Sequence, residues 1–394
     1  VTTERVDVLV VGGGPVGCLA AALLADRGIE VAVWERRGDA PVGSRAIGIH
    51  PPSLDALAVI GLDRAVLAEA ALVRTGVARS GGRDLGSLSF AGASARHPYI
   101  ATLDQHRTET LLRERLPPST LRTGTTLTGL HQEATRVLAE GVGPDGVARS
   151  VDAAFVLGAD GGRSTVRDLL GISTRGRDYR HRYVMGDFAD PEDPSARSTA
   201  LVDVGSAGVV ESFPLPGGRR RYVALVGTTG KGCDRSGSVR TTAAGLADVV
   251  TERTGATPDP ATCTMTSDFG VRRREATRTG VGRVVLVGDA AHEISPIGGQ
   301  GMNLGWLDAA ELVPILATAL RAGPGATVPT AARTAWARRR RAAARRAARQ
   351  AEVNMALGLP ATVVGSGSRD VLLRTALALP TASSLARLYA MRWA

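Results

Sequence analysis

The sequence has 394 residues, 44% hydrophobic and 22% charged, with a formal net charge of +10. That length and globular composition exclude a disordered or fibrous chain and predict two or three interlocked units around a large core. No run of 18 apolar residues occurs, which argues against a transmembrane helix, and Lys231 is the only lysine, so the basic excess is arginine and reads as genomic base-composition bias.

Residues 6–11 form a mostly β-branched run that predicts a short buried strand. Gly12-Gly13-Gly14-Pro15-Val16-Gly17 follows, a G-x-G-x-x-G loop, and then an Ala- and Leu-rich helix over 18–27 that Gly28 ends. Residues 29–34 predict a second strand, closed by Glu35 at roughly the 20-residue spacing of a dinucleotide fingerprint. The glycines permit a tight turn, close approach of a pyrophosphate and tight helix–strand packing; Glu35 is placed for the ribose hydroxyls of an ADP moiety. Gly141-Val142-Gly143-Pro144-Asp145-Gly146 matches the same pattern, but its Pro-Asp-Gly is turn chemistry and no helix follows. It predicts a hairpin loop.

Arg45-Ala46-Ile47-Gly48-Ile49-His50 precedes a predicted helix over 53–61, and residues 77–100 are strand-like and broken by glycine. Asp104-Gln105-His106-Arg107 opens a helix to about Leu116, and residues 121–157 read as short strands. The last of these runs into Gly158-Ala159-Asp160-Gly161, ahead of a short helix over 164–170 flanked by Arg163 and containing Arg167. From about 183 to 228 the pattern alternates, which predicts a mixed or antiparallel sheet inserted into the nucleotide fold.

Residues 283–287 predict a strand that leads into Gly288-Asp289-Ala290-Ala291-His292 and then Pro296-Ile297-Gly298-Gly299-Gln300-Gly301-Met302-Asn303. An Asp at a strand end accepts hydrogen bonds from sugar hydroxyls. A glycine-rich loop opening a helix offers N–H donors and a positive dipole end to an electron-rich group. One long ligand with a polyol and an electron-accepting ring would use both this region and the N-terminal fingerprint. Residues 333–349 hold much of the positive charge, while Trp336, Ala343, Ala347, Ala351 and Met355 recur near helical spacing. They predict an amphipathic helix with a solvated arginine face rather than a nucleic-acid or membrane site. The chain after about 330 is expected to be helical, with breaks at Pro360 and Pro380. Cys18, Cys233 and Cys263 show no paired or metal-ligand spacing. No bound metal, no signal peptide and a reduced cytoplasmic setting are expected.

With these motifs placed, residues 5 to about 330 resemble the single-component FAD-dependent aromatic hydroxylases, the para-hydroxybenzoate hydroxylase superfamily. Three motifs carry the resemblance: Gly12 to Gly17 with Glu35, Gly158 to Arg167, and Gly288 to His292. The C-terminal part resembles bacterial secondary-metabolite (polyketide-type) hydroxylases without the thioredoxin-like domain. The resemblance implies an α/β fold: a Rossmann-like FAD-binding domain (1–76, 101–178 and 272–320), an inserted mixed β-sheet substrate domain (77–100 and 179–271) and a C-terminal helical segment (321–394).

It also implies residue roles. Gly12, Gly14, Pro15, Val16 and Gly17 would cradle the FAD pyrophosphate, and Glu35, with Arg36 beside it, would take the adenosine ribose. Arg45 and Ala46 would approach the pyrophosphate and flavin side, and Gln105 the sugar-phosphate chain. Asp160 and Gly161 would lie near the cofactor, with Asp160 supporting NAD(P)H use. Gly288 and Asp289 would take the ribityl hydroxyls. Pro296 and Gly299 would lie beside the isoalloxazine ring, with amides from Gly301, Met302 and Asn303 facing its pyrimidine carbonyl. Ser295 stands where the family often has a first proline. NADPH or NADH would donate electrons transiently, with Arg163 or Arg167 steering its phosphates. One oxygen atom of O2 would pass from a flavin C4a-hydroperoxide to an aromatic or polycyclic secondary metabolite. Baeyer–Villiger insertion and epoxidation use the same chemistry, and a cofactor-less interaction protein on this fold is the non-enzyme alternative. No protein side chain is implied as the catalyst, because the cofactor supplies the reactivity; His292 is expected to pack beside Asp289. The substrate would lie between flavin and inserted sheet, with His50, Met185, Asp187, Glu211, Phe213 and Tyr222 as candidate walls.

Overall fold

The computed structural model describes residues 3–38, 46–190, 196–228, 241–378 and 382–394. Arg45, Lys231, Cys233 and Pro380 lie outside them. The strand Thr3–Val11 pairs in parallel with Val31–Glu35 on one side and with Ala148–Gly158 on the other. Leu121–Thr123 and Val284–Leu286 extend this sheet in parallel at its two sides. Val8, Leu9 and Val10 are fully buried, as expected of a parallel strand covered on both faces. Val11 stands opposite Gly158, and Gly158 opposite Leu286. The three motif turns therefore leave the sheet side by side at the carboxyl ends of its strands, where open α/β sheets bind their ligands.

An antiparallel meander, Thr126–Gln132 and Val137–Val142, continues from Ala148–Gly158. Val142 pairs with Ala148, and Gly143 N–H donates to Val147 O at 3.0 Å. The second G-x-G-x-x-G is thus a hairpin loop, as its Pro-Asp-Gly predicted.

The second sheet is mixed. Its order is His292–Glu293, Met265–Ala276, Thr174–Ala189, Arg219–Thr228, Val210–Leu215, Thr199–Asp203, Thr75–Ser80 and Arg83–Ser89. Pairing is antiparallel except between Thr199–Asp203 and Thr75–Ser80. One face packs on the helix Ala243–Thr254, joining Val184, Phe188, Val210 and Ala224 to Leu246 and Val250. The other face carries Tyr183, Met185, Val223 and Phe269 and looks toward the first sheet's carboxyl ends.

The helix Gly301–Arg321 packs on Pro15–Ala25, where Trp306 Nε1 donates to Pro15 O at 2.9 Å. A Cβ on Gly305 would stand 2.5 Å from Val16 Cγ2 and 3.0 Å from Gly288 Cα, so only glycine lets the two motif turns meet here. The arginine-rich segment is the helix Thr330–Leu357, buried through Trp336, Ala343, Ala344, Ala347, Ala348 and Ala351. The expectation of a solvated arginine face needs correcting at Arg340, which is 2% exposed and bonds Asp308. Arg341 and Arg345 bind Glu275 of the neighbouring strand, and Arg339 binds Glu311. Acids of adjoining elements, Asp308 buried and Glu275 and Glu311 half-buried, take up part of this charge. Two further helices, Val363–Ala378 and Ala382–Tyr389, lie against the edge strand Arg83–Ser89 and line the cavity there.

Candidate active site

A single cavity of about 1300 Å³ runs from the fingerprint turn to the second sheet. At its first end Gly12 has φ +109°, and a Cβ there would lie 2.4 Å from Ala159 O. A Cβ on Gly17 would lie 1.8 Å from Gly12 O, so Gly17 keeps the turn tight and does not line the cavity. A Cβ on Gly14 would meet nothing within 4 Å, so the backbone is open to a ligand there. Gly14 caps the helix Pro15–Ala25 without a side chain, and the first helical bond is Cys18 N–H to Gly14 O. The amides of Val16 and Gly17 have no intrahelical acceptor and present the positive end of the helix dipole.

Glu35 lies at the rim of this turn and lines the cavity. Its Oε2 accepts from Gly13 N–H at 2.8 Å, and its Oε1 accepts from Arg37 N–H and Nε, each at 2.9 Å. Burial alone would raise its pKa, but the bonds from Arg37 and Gly13 outweigh it and hold the carboxyl below its ordinary range. An ionised, oriented acceptor results, suited to vicinal hydroxyls. Arg36, Ala46 and Gln105 line the cavity. Gln105 Nε2 donates to Glu109 Oε1 at 2.7 Å, and Arg113 Nη2 to Gly13 O at 3.2 Å. Glu109 Oε2 and Arg113 Nε are buried without a partner, polar atoms that a ligand at this end would satisfy. Burial raises the Glu109 pKa. Arg113 was not among the expected site residues; its signal was the helical spacing from Gln105 through Glu109. Cys18, fully buried, donates Sγ–H to Gly13 O at 3.3 Å, and burial pushes its thiol up to about 12.

Asp160 and Gly161 also line the cavity. Asp160 Oδ1 accepts from Ser164 Oγ at 2.5 Å and Oδ2 from Val166 N–H at 3.1 Å, so its carboxyl caps the helix Thr165–Leu169. Burial raises its pKa despite these bonds. Arg163 is exposed at the cavity, whereas Arg167 is buried and donates to Gly162 O and Ala290 O. The expectation that Arg167 steers a phosphate is therefore corrected.

In the third motif Gly288 has φ +61°, and its N–H donates to Asp308 Oδ2 at 2.9 Å. Gly288 itself is buried behind the cavity; Asp289 lines it. The His292 Nε2 meets the same Asp308 Oδ2 at 2.6 Å, and Arg340 Nε donates to Asp308 Oδ1 at 2.8 Å. Burial opposes charge here, yet His292 and Arg340 hold the Asp308 carboxyl below its ordinary range, and Asp308 raises His292. Asp308 and Arg340 lie on two different helices, and no local pattern announces their meeting.

Pro296, Gly299, Gly301 and Met302 line the next stretch. The first backbone bond of Gly301–Arg321 is Leu304 N–H to Gln300 O, so the amides from Gly301 to Asn303 lack intrahelical acceptors. The Asn303 side chain is fully buried and does not line the cavity. Its Nδ2 donates to Gly48 O at 2.8 Å and Gly299 O at 2.9 Å, and its Oδ1 accepts from His50 N–H at 2.9 Å. It ties the glycine loop to the segment carrying His50, and burial lowers His50 to about 4, keeping the ring neutral.

Of the expected substrate walls, His50, Met185, Glu211 and Phe213 line the cavity. Tyr222 and Asp187 do not. Tyr222 faces the other side of its sheet, edge-on to Phe188 at 5.9 Å, because Met185 pairs with Val223 and sets the opposite parity. Asp187 is covered by Arg221, whose Nε and Nη2 donate to its two oxygens at 2.7 Å each. Among the described residues, no group of three His, Cys, Asp or Glu side chains is placed to hold a metal.

The residues fit an FAD: an open glycine turn at a helix N-terminus, an ionised acid for a ribose, and Asp289 beside a second helix N-terminus. The volume exceeds the roughly 300–1,000 Å³ of a pocket for one drug-sized ligand, leaving room for a second molecule. The family model described as "FAD binding domain" matches residues 5–351. A 6-methylpretetramide 4-monooxygenase of Streptomyces rimosus is 35% identical over 319 residues, 80% of this chain and 56% of that protein. The solved anhydrotetracycline hydroxylase of Streptomyces rimosus is 30% identical, with a TM-score of 0.78 over 98% of this chain and 76% of that one. A p-nitrophenol 4-monooxygenase of Pseudomonas putida, at 24% identity, shares the fold with a TM-score of 0.86 over 99% of this chain and 98% of that one. The chain spans 56% to 62% of the length of curated Streptomyces relatives that it matches.

Proposed function

The chain belongs to the FAD-binding-domain family, and on that premise we propose that it is an FAD-dependent monooxygenase that inserts one oxygen atom of O2 into an aromatic or polycyclic substrate. NADPH or NADH is the transient electron donor. The observation that carries the reading is the continuity of one cavity: fingerprint turn, Asp289, the N-terminus of Gly301–Arg321, then a largely apolar sheet face. Similarity to oxygenases named for tetracycline intermediates supports a hydroxylated polycycle as substrate. Hydroxylation is favoured over epoxidation or Baeyer–Villiger insertion on the same ground.

Bound FAD would supply hydride acceptance and oxygen activation; the chain's own residues bind, orient and exclude water. The Val16 amide, beside the open Gly14 turn, would take the pyrophosphate, Glu35 the ribose, and Asp289 the ribityl hydroxyls. Amides of Gly301 and Met302 would hold the ring's electron-rich edge. Arg163, exposed at the cavity, is positioned to steer the nicotinamide donor's phosphates. The functional division follows the sheets, with an FAD-binding part on the parallel sheet, a substrate part on the mixed sheet and the C-terminal helices closing it. No helix among the described residues is long and apolar enough to cross a membrane, and a reduced cytoplasmic setting suits the free thiols Cys18 and Cys263.

Two measurements test this. Cofactor released by heat should be FAD in a one-to-one ratio with the chain; FMN, or a colourless protein, refutes it. A panel of hydroxylated polycycles is then screened for stimulated NAD(P)H oxidation under labelled oxygen gas. Product without the label refutes the monooxygenase reading.

A further inference from the structure

The cavity face of the second sheet carries one straight row of side chains. The register places Ala78 opposite Val202, Val202 opposite Glu211, Glu211 opposite Val223, Val223 opposite Met185, and Met185 opposite Ser267. All six line the cavity. Glu211 is the only ionisable member, set mid-row between two valines. Its carboxyl makes no hydrogen bond or ion pair among the described residues, and burial raises it to about 7.

The charged and titratable groups around it do not relieve it. On its own sheet Arg221, two residues from Val223, is held by Asp187. Tyr183 lies one row along, its hydroxyl buried and unpartnered. From the C-terminal helix Tyr389 faces it, its hydroxyl donating to Asn354 Oδ1 at 3.0 Å. The helix Val363–Ala378 contributes only Leu372, Leu373, Ala376 and Leu377 to the lining. Arg346 and Arg349 line the cavity from the helix Thr330–Leu357, but both are exposed.

We propose that Glu211 is the specificity-determining residue of the substrate platform: its carboxylate takes the hydrogen bond of an aromatic hydroxyl and turns away arene carboxylates. The proposal rests on the substrate face assigned above. A hydroxyl donor supplies the partner that Glu211 lacks, and a site built for a polar donor discriminates strongly against a ligand without it. A ligand carboxylate would instead put two anions side by side in an apolar wall, where only one can stay ionised. A hydroxyarene therefore releases proton from the site as it binds, because its donor stabilises the ionised Glu211. An arene carboxylate binds only with uptake of a proton, shared between the two acids.

The test uses the FAD-loaded chain with 2-naphthol and 2-naphthoate, matched fluorescent probes whose dissociation constants are read without turnover. At about pH 8, naphthol should bind roughly tenfold or more tightly than naphthoate, and the gap should narrow toward about pH 6 as Glu211 takes up its proton. Calorimetry in buffers of different ionisation enthalpy should show proton release for naphthol and uptake for naphthoate. Glu211→Gln should abolish both the pH dependence and the proton uptake. Retention of wild-type discrimination by Glu211→Gln overturns the proposal. So does a wild-type protein without preference at about pH 8, or without affinity for either probe. If the glutamine variant fails to fold, the wild-type pH series and proton count still decide. FAD content and oxygen labelling judge the monooxygenase reading separately, since neither depends on which probe binds better.

Discussion

At Asp308, one buried carboxylate joins the Gly288 amide, the His292 ring and the Arg340 guanidinium. Breaking a buried ion pair by removing one partner costs about 3–5 kcal/mol, because the other charges stay buried. Asp308→Ala should lower stability by about that much in urea unfolding and should also loosen FAD, since the turn carrying Asp289 loses its anchor. Asp289→Ala should leave the fold intact and weaken FAD by roughly 10- to 100-fold, the worth of one charge-assisted hydrogen bond; fluorescence titration with FAD measures it. Glu211 makes a pH prediction with a definite sign. Its folded pKa, about 7, lies above the ordinary carboxyl value of 4.5, so its favourable contribution is complete below the unfolded pKa and is lost as pH rises through the folded one. Above about pH 8, Glu211→Gln should be the more stable protein by up to about 3 kcal/mol, and below about pH 4 the difference should vanish. Denaturation midpoints across that range check both ends.

Secondary elements differ in how far their own sequence announces them. The three motif turns were legible because each is a local instruction: a strand, then glycines or an acid at a fixed place, then a helix. The face presented by Arg219–Thr228 was not legible. Tyr222-Val223-Ala224-Leu225-Val226 is apolar throughout because both faces are covered, and such a run does not say which side its tyrosine takes. Parity is fixed by pairing with Met185 and Glu211 on neighbouring strands. Asp160 shows a related ambiguity. An acid after a strand serves a ligand or a helix cap equally well, and Ser164 and the Val166 amide claim it. The helix Thr330–Leu357 shows the same limit for charge. Arg338 and Arg340 are two residues apart, yet one is exposed and the other buried on Asp308. Arg338→Ala should change the melting temperature negligibly, as surface substitutions do, whereas Arg340→Ala should cost several kcal/mol. Equal effects of the two would show that the buried contact is not formed.

For the molecule as a whole, the cavity is completed by parts far apart in sequence. The last helices close the substrate end, and the packing there is tight at Gly86, where a Cβ would lie 2.6 Å from Leu377 Cβ at a φ of +155°. Gly86→Val should push the helix Val363–Ala378 off the sheet. FAD content should stay unchanged while limited proteolysis cuts after residue 357 much faster; an unaltered digestion pattern would contradict this wall. At the other end, Trp306 donates to Pro15 O and Gly305 fits between Val16 and Gly288. That contact has a consequence for biogenesis. A chain emerging from the ribosome displays its nucleotide fingerprint early, but the helix that backs it is synthesised nearly 300 residues later. At about 5–20 residues per second the delay is on the order of 15–60 s. During that interval the Ala- and Leu-rich first helix has no partner for its Trp306-facing side. The nascent protein cannot capture its cofactor, and its exposed apolar surface is a substrate for holdase chaperones. Cofactor supply in the cell should therefore rescue yield only after synthesis of the chain has passed Trp306, not while the N-terminal half stands alone.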